Sequence, residues 1–286
     1  MLEADLKNFF GSLDHEWMMK FVEHRIRDPR ILNLMRRWLK AGVLEDGKYQ
    51  PSDIGVPQGG SISVLLSNIY LHYVLDLWFE KAIKPRLKGE SYLVRYIDDF
   101  IVCFQYESDA RKFQEVLKKR LAKFSLKLEE SKTALIEFGR FAEERSKKKG
   151  CKCKTLYFLG FTHYCSKERN GKFMLGRKTE KTRFRRSVNR IKEEIKANMH
   201  ISIKEQADKI NQVLRGFYNY YGIAGNSKVI ARIYWIVIKY WRIILSKRSS
   251  KGKVTWEKFN MLLKLFPIVR PKLAIKFADF DKYAIL

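Results

Sequence analysis

The chain has 286 residues, 46% of them hydrophobic, and carries 58 Lys and Arg against 31 Asp and Glu, a formal net charge of +27. That apolar content excludes a globally disordered chain, and the length admits one large domain or two modest ones. A field this one-sided exceeds what solubility requires and points to a polyanionic partner, most simply nucleic acid.

The charge is unevenly placed. Residues 1–139 hold 22 Lys and Arg against 20 Asp and Glu, whereas residues 140–286 hold 36 against 11. The first half therefore reads as an ordinary globular unit and the second as an electrostatic grip. Cys103, Cys151, Cys153 and Cys165 form no dense disulfide framework, and no secretory signal opens the chain. Both features point to a reducing compartment, bacterial cytoplasm or an organelle. The Cys151-x-Cys153 spacing is atypical for zinc, so no zinc site with His163 and Cys165 is expected. No apolar run reaches a membrane span, because Lys239 and Arg242 interrupt Ile233–Leu245, and no membrane partner is expected.

In chain order, residues 2–6 predict a short strand ending in the Phe9-Phe10-Gly11 turn. Asp14 can cap a helix over residues 15–26, and Pro29 opens a second that Gly42 ends. Residues 42–60 are turn-rich, with a short hairpin and the segment Gly55-Val56-Pro57-Gln58-Gly59-Gly60. A long apolar helix over 61–83 follows and breaks near Pro85. The runs Leu93-Val94 and Ile101–Phe104 predict two buried strands joined by a tight turn. An amphipathic helix is expected over 107–124, with Ala110, Phe113, Val116, Leu117 and Leu121 at helical spacing. Residues 155–162 predict a strand. Beyond Gly176 the pattern is helical, over 179–199, 203–221 and 227–245. The expected fold is α+β, with an antiparallel sheet and helices on one face over residues 1–166, then a basic all-α region over 167–286.

The tight turn carries the chemistry. Such turns favour Asn-Gly or Asp-Gly because they need positive φ, yet here two carboxylates, Asp98 and Asp99, sit between apolar strands. A broken local rule of this kind marks function. Asp5, at the end of the first strand, supplies a third carboxylate if that strand lies beside the hairpin. Three acids at strand ends in a basic chain suit two Mg²⁺ ions, with Mn²⁺ as a substitute, because these cations take oxygen ligands and bridge to substrate phosphates.

Four ordered segments together resemble the reverse transcriptases encoded by group II introns. Asp5-Leu6-Lys7-Asn8-Phe9-Phe10-Gly11-Ser12-Leu13-Asp14-His15 resembles the first acidic palm motif. Gly55 to Ser63, followed by Leu65-Leu66-Ser67-Asn68-Ile69-Tyr70-Leu71, resembles the Pro-Gln-Gly segment and its helix. Tyr96-Ile97-Asp98-Asp99 matches the Tyr-x-Asp-Asp hairpin, and Phe158-Leu159-Gly160-Phe161 resembles the primer grip. A fifth segment, Arg215–Tyr221, resembles the maturase or thumb region of the intron-encoded branch.

The resemblance implies a palm followed by a thumb or maturase region, acting as an RNA-directed DNA polymerase. Its partners would be an RNA template or intron RNA, a DNA primer or target, and deoxynucleoside triphosphates. It implies metal ligation by Asp5, Asp98, Asp99 and the backbone carbonyl of Leu6. It implies nucleotide or template contacts by Phe10, Pro57, Gln58, Gly59 and Lys132, with Phe10 as a gate against the ribose 2′-hydroxyl. Lys132 would aid at the pyrophosphate. Phe158, Leu159 and Gly160 would grip the primer. Arg177, Lys178, Lys181, Arg183, Arg185, Arg186 and Arg190 read as phosphate contacts, affinity without sequence information. Tyr218, Tyr220 and Tyr221, at helical spacing, read as packing residues before base-stacking ones.

The pattern departs from the family in places. Gly11 replaces an acid common in the first motif, and Val64 stands where Pro is usual. The family places a fingers region before the first motif, and only four residues precede Asp5. The chain is therefore expected to be a fragment, to draw on a separate fingers-containing chain, or not to polymerise. The alternative functions are a non-catalytic RNA-binding maturase (or a truncated fragment inactive without a supplied fingers region) and a retron-like or defence-associated reverse transcriptase. The Arg215–Tyr221 segment counts against the latter.

Overall fold

A computed structural model of the chain describes all residues except 41–42, 46–47, 51–53, 57–60, 169, 249–251 and 284–286. It divides into two compact units, Met1–Phe138 and Gly139–Leu286. The division falls well before the expected boundary at 166/167, because the strands bearing the Phe158–Phe161 segment pack with the basic helices.

In the first unit, strands β1 (Leu2–Ala4), β4 (Ser91–Tyr96), β5 (Asp99–Phe104) and β6 (Ala134–Leu135) form one sheet in the order β4-β5-β1-β6. A separate hairpin joins β2 (Val43–Glu45) to β3 (Lys48–Gln50). Every pairing in the main sheet is antiparallel, with Leu2, Glu3 and Ala4 opposite Val102, Ile101 and Phe100. Helices α1 (His15–Glu23), α2 (Pro29–Lys40), α3 (Ser61–Leu71) and α4 (Glu107–Lys123) supply the rest of the core. Asp14 caps α1 as expected, accepting from the Trp17 amide at 2.9 Å. The core joins Leu2 and Phe100 of the sheet to Met18, Tyr70, Phe79 and Phe113 of the helical segments, each no more than 2% exposed.

The long apolar helix is not uniform. Beyond α3 the backbone widens into π turns at His72–Asp76 and Phe79–Ile83, then tightens over Lys84–Arg86. Arg120 of α4 donates to the carbonyls of Val74 and Tyr73 in the first of these turns, at 3.0 and 3.2 Å. By length and composition the continuous helix Ile62–Arg86 could cross a membrane, which the sequence reading did not anticipate. Its Tyr70, Leu71, Val74, Leu75 and Phe79 are instead fully buried in the core.

In the second unit, β7 (Leu156–Phe158), β8 (Phe161–Lys167) and β9 (Phe173–Thr179) make an antiparallel sheet. The single strand expected over 155–162 is therefore a hairpin turning at Leu159-Gly160. The short helix α5 (Ala142–Lys148) precedes it, and α6 (Lys181–Ala197), α7 (Ile203–Tyr221), α8 (Ser227–Ser246), α9 (Trp256–Leu265) and α10 (Phe277–Tyr283) follow. Ser202 and Glu205 form a reciprocal capping box at the start of α7. Trp241 is fully buried and satisfied: its indole donates to Gln206 Oε1 at 2.9 Å, while Gln206 donates to the carbonyls of Met199 and Ile201.

Asn226 joins the sheet to the helices. It is fully buried, accepts from the Thr179 amide at 3.0 Å, and donates to Thr179 Oγ1 and the Tyr221 carbonyl, both at 2.8 Å. Asn226→Ala leaves the Thr179 amide without its acceptor, at about 1–3 kcal/mol. Urea unfolding should show that loss as a lower midpoint with an unchanged slope; an unchanged midpoint contradicts the role given to Asn226.

Candidate active site

The register of β1 on β5 brings the three predicted carboxylates to one end of the sheet. Ala4 pairs with Phe100 and Tyr96 with Asp99, so the next step outward sets Asp5 beside Asp99, with Asp98 in the turn. Beyond β1 the chain bridges Leu6 to Leu128, and this bridge uses the carbonyls of Asp5 and Lys127 as acceptors, at 2.8 and 2.9 Å. Successive carbonyls of an extended chain alternate sides, so the Leu6 carbonyl points back toward β5 and the acidic turn.

The turn between β4 and β5 is Ile97-Asp98, with Ile97 at φ 58°. A β-branched residue there is an outlier that the surroundings must enforce. Asp98 is partly buried, and its carboxyl is pushed above the ordinary carboxylate range, first by desolvation and then by the charge of Asp5. Lys132, at the end of the short turn Glu130–Lys132, lies with Nζ 2.5 Å from Asp5 Oδ2. Its ammonium is held above the usual lysine value by that bond and by the charge of Asp5, with Glu129 and Asp99 adding to it. The resemblance puts Lys132 beside a pyrophosphate; here it answers the charge of Asp5.

The donors are all oxygen, which suits Mg²⁺ or Mn²⁺ and not a soft metal. Among the described residues, no group of three or more His, Cys, Asp and Glu side chains stands close enough together to hold a metal ion by itself.

Phe10 lies half-buried on the turn Phe10–Ser12, with its ring 5.4 Å from that of Phe9. Pro57, Gln58 and Gly59 lie outside the described residues. The two residues leading to them are pinned to the first motif: the Gly55 amide donates to Leu13 and the Val56 amide to Phe10, both at 2.7 Å. Gly55 has φ 87°, and a Cβ there would meet the Phe10 carbonyl at 2.7 Å, so glycine is required by the close approach. His15 Nε2 lies 2.6 Å from the Gly55 carbonyl. This contact escaped the sequence reading, in which His15 closes the first motif and starts a helix.

In the second unit, Phe158, Leu159 and Gly160 form the β7–β8 corner, with Leu159 at φ 49° and Gly160 at φ 76°. Positive φ at both central residues is what a type I′ hairpin turn needs. Tyr220 donates its hydroxyl to the Leu159 carbonyl at 2.9 Å, and a Cβ on Gly160 would lie 3.0 Å from the Tyr221 hydroxyl oxygen. Tyr218 and Tyr221 pack against Phe217, as expected, whereas Tyr220 is 53% exposed. Lys178, Lys181, Arg183, Arg185, Arg186 and Arg190 are exposed. Arg177 departs from this set: it is half-buried with its guanidinium 4.1 Å from the Phe280 ring centroid.

The family model described as reverse transcriptase (RNA-dependent DNA polymerase) matches residues 1–163, and that described as group II intron, maturase-specific domain, matches residues 183–260. The group II intron-encoded protein LtrA of Lactococcus lactis subsp. cremoris is 28% identical over 153 residues, 50% of this chain and 26% of that protein. Protein YkfC of Escherichia coli is 35% identical over 92 residues, 32% of this chain and 24% of that one. The matched stretch thus spans about a quarter of these relatives' length. Among solved structures, an apo telomerase from Candida tropicalis truncated from its C-terminal domain matches at 16% identity and TM-score 0.44, over 61% of this chain and 35% of that one.

The raised Asp98 carboxyl has a thermodynamic consequence in metal-free protein. The folded state holds the Asp98 proton to higher pH than the unfolded chain does, so stability falls as pH rises from the ordinary carboxylate range through the raised value. Above the raised value that penalty is fully in force. Asp98→Asn removes it. With chelator present, the variant should unfold at a higher urea midpoint than wild type at pH 7, and the gap should close toward pH 4; a gap independent of pH contradicts the assignment.

Proposed function

The chain belongs to the group II intron reverse transcriptase/maturase family, and on that premise we propose that it copies RNA into DNA by nucleotidyl transfer to a primer 3′-hydroxyl. The observation that carries this reading is the register that sets Asp5 beside Asp99 with Asp98 in the adjoining turn. Asp5 and Asp98, with Asp99 in support and the Leu6 carbonyl turned toward them, are the residues that would hold two Mg²⁺ ions. Bound there, the ions would lower the pKa of the primer hydroxyl and neutralise the triphosphate.

The remaining roles belong to the chain's own groups. Phe10 walls the nucleotide position against a ribose 2′-hydroxyl. Gly55 and Val56 are pinned to Leu13 and Phe10, and Pro57, Gln58 and Gly59 would contact the incoming deoxynucleoside triphosphate and the template base. Lys132 supplies the nearest ammonium for the leaving pyrophosphate once Asp5 has taken a stronger cation. The Phe158-Leu159-Gly160 turn bears on the DNA primer.

Intron RNA binding, in support of splicing, falls to the second unit. Its exposed cations Lys178, Lys181, Arg183, Arg185, Arg186 and Arg190 and the maturase-specific match favour this second role. The working compartment is that of the intron RNA, bacterial cytoplasm or an organelle.

Primer extension on an RNA template tests the reading, run with the full chain alone and with a fingers-containing chain supplied in trans. Asp98→Ala with Asp99→Ala should cut extension about a hundredfold or more, the rate equivalent of several kcal/mol of charge stabilisation; full extension by the double variant overturns it. RNA binding should fall steeply across a salt series in wild type and double variant alike. A flat response removes the electrostatic account of the second unit.

A further inference from the structure

We infer that Arg95 is a positioning residue for the acidic turn: it ties the backbone of Ile97 to the long apolar helix and so fixes where Asp98 and Asp99 stand. The inference rests on the polymerase reading for its consequence in catalysis, but not for its structural content.

The turn needs an external hold. Ile97 sits at φ 58°, a strained value for a β-branched residue that persists only where neighbours impose it. Arg95 precedes it by two residues on β4. Along this strand Tyr92, Val94 and Tyr96 face outward, 57%, 49% and 59% exposed. Arg95 points the other way, and its side chain is only 12% exposed.

All three nitrogens of the guanidinium are engaged. Nε and Nη2 donate to the two oxygens of Asp76 at 2.8 and 2.6 Å, a bidentate pair. Nη1 donates to Asn68 Oδ1 at 2.9 Å and to the Ile97 carbonyl at 2.8 Å. The fork thus has its base on the helix and its tip on the strained residue. An ammonium, a single point on a flexible stem, cannot span that arrangement.

The π turn explains why the helix can offer both acceptors. Positions eight apart on a regular α-helix differ by about 80° around the axis. Asn68 and Asp76 are so spaced, yet they meet the same guanidinium. The widened turn at His72–Asp76 rotates less per residue and brings Asp76 round onto the Asn68 side. Arg120 donates to two carbonyls inside this turn, which braces it from the other side.

Arg95 does not act on the acids as a charge. Its charge is matched by Asp76, and the side-chain charges that act on Asp98 are those of Asp5 and Lys132. Its effect on the site is therefore geometric, through the Ile97 carbonyl, and a displacement of about 1 Å at this turn is enough to slow chemistry markedly.

The test uses the full chain with Arg95→Met and Arg95→Lys. The lysine variant keeps a cation against Asp76 and so protects the fold while giving up the tie to Ile97. Hydrogen exchange of the amides of residues 96–100, followed by mass spectrometry in metal-free buffer, should quicken about fivefold to tenfold in both variants, the worth of one hydrogen bond. Exchange in β1 and α4 should not change. In primer extension, kcat should fall by a similar factor with KM for the deoxynucleotide unchanged. Unchanged exchange at 96–100 in both variants overturns the inference, as does a uniform rise across the whole unit. A wild-type chain without extension activity sinks the polymerase reading alone, because the exchange measurement still decides the role of Arg95.

Discussion

The first unit depends on holding carboxylates together against their repulsion. Apolar burial of Leu2 and Ala4 against the strand Asp99–Phe104 fixes the register of β1 on β5, and the register in turn fixes Asp5 next to Asp99. A slip of one residue would send Leu2 and Ala4 to the wrong face, so core packing itself prevents the acids from separating. Burial first, and the charge of Asp5 after it, push the Asp98 carboxyl up, and Lys132 lies on Asp5. The exposed ammonium of that pair adds little stability. What keeps the acids in place is the hydrophobic core one pleat behind them.

The same construction occurs at two corners of the molecule. Each proposed functional turn places a bulky non-glycine residue at positive φ, Ile97 in the first unit and Leu159 in the second. In each, the carbonyl of that residue accepts a hydrogen bond from a side chain: Arg95 in one, Tyr220 in the other. Glycine at these positions would reach the same φ without strain but would also sample its mirror image. An apolar residue forced into the left-handed region and fastened from outside leaves the turn a single geometry. That is the property a site needs when atoms must be placed within a fraction of an ångström.

Those fastenings mark where the sequence stopped being legible. Asp14 as a cap, the span of α7, the tight hairpin around Asp98 and the convergence of Asp5 upon it follow from local rules of capping, period and turn chemistry. The Leu159-Gly160 corner did not, because Leu156–Phe161 reads as one nearly unbroken apolar run and leucine has no preference for positive φ. The π turns were equally hidden: one residue's lag leaves the apolar stripe of a buried helix almost unchanged. Arg95 drew no reading from the sequence, because its place is set by the long-range meeting with Asn68 and Asp76. Arg177 was misread for a related reason, since a guanidinium in a basic stretch gives no sign that an aromatic ring, Phe280, will cover it.

The two units divide the physical work by charge. The first is nearly neutral over its length, so its local fields are set by a few placed groups: three acids, Lys132 and the Arg95–Asp76 pair. Such a site can concentrate negative potential where a cation is wanted without repelling a polyanion at long range. The second unit supplies the attraction. Along α6 the exposed cations lie opposite the buried Val188, Ile191 and Ile195, so the helix spends its apolar face on the core and its basic face on solvent. Attraction of that kind is screened within about 10 Å at ordinary salt and carries no sequence preference. It can gather and hold a nucleic acid backbone, but it cannot set the position of a reacting atom. That falls to short, partly buried hydrogen bonds such as those of Arg95, which salt does not loosen. The two tasks therefore place opposite demands on local charge density, and keeping them in separate units lets each be met without compromising the other.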